Sequence, residues 1–117
     1  MIPREHDFVM PGSTAPVRLV RVAREVTLVR FPPGWARPER GHYLAGEQFT
    51  VLDGSLRVSG DVYAKDDWAW LPAGTTRWDC ATEEGALALA VFDGPPTWVA
   101  GEGTPAEPTR RGHLGET

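Results

Sequence analysis

Turn signals recur so often along this chain that a long helix has no room to form. Thirteen glycines and eleven prolines are spread through its 117 residues. The apolar runs between them are short and alternate with the period of a strand. In Val17 to Val22, Val17, Leu19 and Arg21 share one face while Arg18, Val20 and Val22 share the other. In Glu25 to Phe31, Thr27, Val29 and Phe31 oppose Val26, Leu28 and Arg30. Shorter β-rich runs follow at Arg40 to Tyr43, Glu47 to Leu52, Ser55 to Ser59, Val62 to Ala64 and Trp68 to Leu71. The apolar run Ala86 to Phe92 is stopped by Asp93-Gly94-Pro95-Pro96, too early for a helix. This pattern predicts an all-β sandwich or a small antiparallel barrel of about eight or nine strands.

Asp53-Gly54 falls between two apolar runs and predicts a hairpin turn. Residues 1–16, with few periodic apolar residues, read as an N-terminal arm carrying at most one short strand near Phe8-Val9. Residues 17–100 read as the barrel, and the Gly-, Pro- and Glu-rich stretch 101–117 as a disordered tail. Lone Cys80 excludes an internal disulfide and suits a reducing compartment. A formal charge of −4 with dispersed arginines argues against a nucleic-acid surface. No apolar run is long enough to span a bilayer, and no signal-peptide pattern is evident, so the expected location is cytoplasmic.

The residues with the most chemistry lie between Gly34 and Gly54. Gly34, five residues, Arg40, one residue, His42, four residues, Glu47, six residues, Gly54 is similar to the first cupin motif. That family pattern is Gly, five residues, His, one, His, three or four, Glu, six, Gly. Pro72-Ala73-Gly74, two residues and Arg77 resemble the second motif, Pro-x-Gly-x-x-His. The similarity runs from about Val17 to Trp98. It implies a cupin-like double-stranded β-helix, or jelly-roll barrel, and a homodimer that exchanges N-terminal strands.

In that family three histidines and the glutamate bind a divalent metal. His42 and Glu47 retain two of those positions, whereas Arg40 and Arg77 occupy the others. A guanidinium is always protonated and offers no lone pair, so no metal is expected as cofactor. If iron, zinc or manganese is held, the candidate ligands are His42, Glu47 and Asp79, and His6 or His113 could assist only by folding over the barrel mouth. The resemblance places Arg40, His42 and Arg77 inward beside Glu47. Two readings of this cluster stand. In one, Glu47 and Asp79 neutralise the arginines in a salt-bridged plug. In the other, Arg40, Arg77, Asp79 and Trp70 bind a small anionic or aromatic metabolite, with His42 and Glu47 as an acid–base pair for an isomerase, cyclase or lyase step. A metal-dependent oxygenase or isomerase, and a non-catalytic sensor, are the alternative functions.

Overall fold

In a computed structural model the chain is described over residues 4–104 and 110–115, and every element there is a strand. In chain order these are β1 (His6–Phe8), β2 (Val17–Ala23), β3 (Val26–Phe31), β4 (Ala36–Arg37), β5 (Gly41–Tyr43) and β6 (Glu47–Val58). They continue as β7 (Asp61–Ala64), β8 (Asp67–Leu71), β9 (Cys80–Ala81), β10 (Ala86–Phe92), β11 (Trp98–Ala100) and β12 (Arg110–His113). All strand pairings are antiparallel. The main curled sheet runs β1-β2-β3-β10-β6-β8-β12, while β7 and β9 join the far half of β6, β4 pairs with β9, and β5 pairs with β11. The chain is therefore an all-β, jelly-roll barrel of the cupin type, as the sequence predicts. No helix among the described residues is long and apolar enough to cross a membrane.

The hairpin expected at Asp53-Gly54 does not form. β6 runs unbroken through it for twelve residues. Its first half pairs with β8 and β10, and its second half with β7 and β9. The register against β10 shifts between Leu87 and Ala88, which places a bulge at Leu52, and Gly54 follows with a φ of 72°. A Cβ on Gly54 would lie 2.1 Å from the Gly85 carbonyl oxygen. The glycine thus serves a corner at which one strand passes between two sheets, a role bulges also play.

Strand parity sets the interior. Val29 and Phe31 of β3, Phe49, Val51, Leu56 and Val58 of β6, and Ala86, Ala88 and Ala90 of β10 are all buried. Alternation makes these one shared face within β3, β10 and each half of β6, and the extra residue at Leu52 brings Leu56 and Val58 back to the side of Phe49 and Val51. The short alanines of β10 stand opposite aromatic and branched residues on β3 and β6. That combination leaves space inside the barrel.

The expected tail contains a strand. β12 adds to the free edge of β8, pairing Arg110 with Trp70 and Gly112 with Trp68. Gly112 permits this contact, since a Cβ there would approach the Trp68 indole to 2.9 Å. Polar contacts flank the strand, an Arg111–Asp61 ion pair at 3.0 Å and a His113 Nδ1–Asp67 contact at 2.8 Å. Residues 105–109, 116 and 117, also assigned to the tail, lie outside the described residues, as do residues 1–3 of the arm.

Candidate functional site

A cavity of about 330 Å³ occupies the barrel interior. Its floor is apolar: Phe31, Phe49, Leu56, Val58 and Ala88. Its rim is formed by exposed residues of the arm and of β2, including His6, Phe8, Pro11 and Arg21. Deep among the apolar residues sit two guanidiniums, Arg37 and Arg77, only 3% and 6% exposed. Glu47 is the one carboxylate among the lining residues.

Glu47 opens β6 with its side chain inward and receives a direct ion pair from Arg77 Nη1. Burial works against the Arg77 charge, but the Glu47 carboxylate outweighs it and holds the guanidinium pKa above its ordinary value. Arg37 lies at the end of β4 and donates from Nη1 to the Tyr43 hydroxyl at 3.1 Å. Its Cζ sits 4.0 Å above the Trp98 ring and 5.5 Å from the Tyr43 ring centroid. Burial raises the Tyr43 pKa above the usual phenol value, so it remains a neutral hydroxyl. The Cys80 thiol, also lining the cavity, is raised chiefly by burial.

Four buried side-chain nitrogens here have no hydrogen-bond partner: Arg37 Nε, Arg37 Nη2, Arg77 Nε and Trp35 Nε1. All four are N–H donors, and all belong to residues that line the cavity. Buried polar groups are normally satisfied, so four unpartnered donors on residues that line one cavity are informative.

The inward cluster differs from the one expected. Arg40 and His42 point away from the cavity. Arg40 pairs with Glu102 and lies 5.1 Å from the Trp78 ring centroid. The His42 imidazole donates from Nδ1 to the Gly101 carbonyl at 3.0 Å. The reason is a register choice. On β5 it is Gly41 and Tyr43 that face inward, and a one-residue slip moves every side chain to the opposite face. With three residues before the glutamate instead of four, the two histidine positions of the motif fall on Gly41 and Tyr43. A Cβ on Gly41 would lie 2.4 Å from Trp98 Cζ2, so the indole occupies the space a side chain there would fill. Of the expected residues, only Glu47 and Arg77 meet in the cavity.

Asp79 is also outside. Its φ of 50° breaks the alternation after Arg77, and its carboxylate takes both Nε and Nη2 of Arg57 at 2.9 and 3.2 Å. Trp70 lies on the outer face of β8, because the buried residues of that strand are Ala69 and Leu71. His6 does reach the rim, where it is exposed. His113 is on the outer edge with Asp67. Arg37 and Tyr43 are the residues the sequence reading missed. The alternation Trp35-x-Arg37 and the shorter motif spacing were the available signals.

The residues present do not fit a divalent metal. His42, Glu47 and Asp79 are on different faces, and no group of three or more His, Cys, Asp or Glu able to hold a metal occurs among the described residues. The unsatisfied atoms are donors, which repel a cation, and the one carboxylate is already paired.

No protein-family model matches the chain, and no curated protein is significantly similar to it. Solved structures do share its fold. A candidate dioxygenase of Nostoc punctiforme superposes with a TM-score of 0.71 at 19% identity, over 90% of this chain and 40% of its own. A variant of the oxalate decarboxylase of Bacillus subtilis gives 0.55 at 28% identity, over 76% of this chain and 27% of its own. A third structure, of the same Bacillus enzyme with its Mn(II) centres, gives 0.54 at 26% over the same shares. The chain thus spans well under half the length of the structures it resembles. Fold and interior together define a cupin-type barrel whose cavity is lined by guanidiniums.

Proposed function

We propose that this chain binds a small organic anion inside its barrel without a bound metal ion. One observation carries the reading: two buried guanidiniums face a single carboxylate above an apolar floor. An uncompensated charge in such surroundings is costly, and an anionic ligand removes the cost while satisfying the orphaned donors. The volume lies at the small end of the range for ligand sites, about 300–1,000 Å³. The Bacillus neighbour, by its name, acts on a small organic acid, which is compatible with the same fold receiving an anion here. An acid–base step in this cavity would use the Glu47 carboxylate as base and the Tyr43 hydroxyl as proton donor, the two groups in contact with the guanidiniums, and not His42.

Thermal shift of untagged protein tests this against two panels, small organic anions and the chlorides of manganese, iron and zinc. An anion that binds only the folded state adds about 2.7 kcal/mol at a hundred times its dissociation constant. The expected result is a rise in Tm with anions and none with the metals. A rise with a metal, with near-stoichiometric uptake by elemental analysis, would overturn the reading.

A further inference from the structure

Resting on that reading of the cavity, we propose that the acid group it takes is a carboxylate, seated side-on against Nε and Nη2 of Arg37, on a compact monoanion with an apolar body. A guanidinium offers different edges. Nη1 of Arg37 is committed to Tyr43. The two atoms left without partners, Nε and Nη2, share one edge of the planar group, along which an N–H bond of each points in the same direction. Two parallel donors match the two oxygens of one carboxylate. This same chain shows the match filled: Arg57 uses Nε and Nη2 for the two oxygens of Asp79.

The Arg37 fork is also held in place. The Trp98 indole supports its flat face at 4.0 Å. That indole is fixed in turn by its own donation from Nε1 to Glu39 at 2.6 Å and by the close approach over Gly41. A ligand meeting a fork already held by its neighbours loses less freedom on binding.

Charge and lining set the rest of the ligand. Among the buried groups, Arg37 and Arg77 against Glu47 leave one positive charge, which a monoanion neutralises and a phosphate dianion exceeds, while Arg21 lines only the exposed rim. The floor of Phe31, Phe49, Leu56 and Val58 calls for an apolar body. Trp35 Nε1 and Arg77 Nε leave places for one or two further acceptor oxygens.

The test is calorimetric titration of the full chain with four probes that share a ring: phenylacetate, benzenesulfonate, phenyl phosphate and phenylacetamide. Phenylacetate is expected to bind about tenfold or more tighter than the sulfonate or the phosphate, with no binding of the amide. Arg37→Lys keeps the charge and removes the fork, so it should weaken phenylacetate by at least about tenfold. A wild-type readout covers the case in which that variant misfolds: phenylacetate, and not phenylacetamide, should shift the Nε–H resonance of one buried arginine. Sulfonate or phosphate binding as tightly as the carboxylate, with Arg37→Lys unaffected, overturns the fork while leaving the anion cavity standing. No binding by any of the three anions overturns both.

Discussion

Arg37 and Arg57 present the same edge to opposite surroundings. On the outer wall, Arg57 meets Asp79 through Nε and Nη2, with water nearby to screen both charges. Inside the barrel, Arg37 holds the same two atoms buried and unpartnered. Arg40 and Arg77 repeat the contrast, one paired with Glu102 in solvent and the other with Glu47 under the sheet. The residue types are similar, and the face they occupy decides what they can do. Outside, a pair contributes little, because solvent competes for both partners. Inside, each unmatched charge demands a partner.

The largest expected effect comes from removing the one interior carboxylate. Glu47→Gln leaves two guanidiniums without a counter-charge and should cost about 3–5 kcal/mol in urea unfolding. Replacing the whole pair, as Glu47→Leu with Arg77→Met, should cost less than Glu47→Gln alone. A double variant at least as unstable as the single one would break the contrast between inside and outside.

Gly54→Ala comes next. The positive φ alone costs about 1–2 kcal/mol for a residue with a side chain, and the clash with the Gly85 carbonyl adds to it. Denaturant midpoints check this directly.

Arg37→Met sharpens the comparison further. Without ligand, it should lower stability by less than about 1 kcal/mol, or raise it, because the lost Tyr43 bond is offset by removal of an unpaired buried charge. A large loss would show that Arg37 is structural and already satisfied. His42→Ala, on the outer face, should leave the unfolding midpoint unchanged within error.

The smallest effect is confined to the β12 edge. The Asp67 carboxyl is held below its ordinary value of 3.8, first by its hydrogen bond with His113 and then by the Ala64 amide. A depressed carboxyl contributes fully above its unfolded value, and that contribution is lost as pH falls through the folded value. Hydrogen-exchange protection of β12 should therefore drop below about pH 4, while β3 and β10 keep theirs. Equal loss across all three strands would contradict a local cause.

The parts legible in the sequence were those with room for a period. β2 and β3 are seven and six residues long, so alternation separates their two faces, and β10 was legible as a strand from its length and its Asp93-Gly94-Pro95-Pro96 stop. β4 and β5 have only two and three residues, too few to fix parity, and the motif tolerates either spacing before Glu47. That is why Arg37 and Tyr43 were hidden and why Arg40 and His42 were expected inside. Asp53-Gly54 carries a local hairpin signal, yet pairing on both flanks keeps β6 continuous and uses the glycine as a corner. β12 has almost no apolar content because its order comes from the free edge of β8 and from polar contacts, a contribution no local pattern records.

The most direct measurement is a calorimetric titration of phenylacetate into three proteins: wild type, Arg37→Met and His42→Ala. Binding that is lost in Arg37→Met and unchanged in His42→Ala is the result predicted by a site built on the inner face. Binding that survives in Arg37→Met and fails in His42→Ala would place the site on the outer face and contradict it.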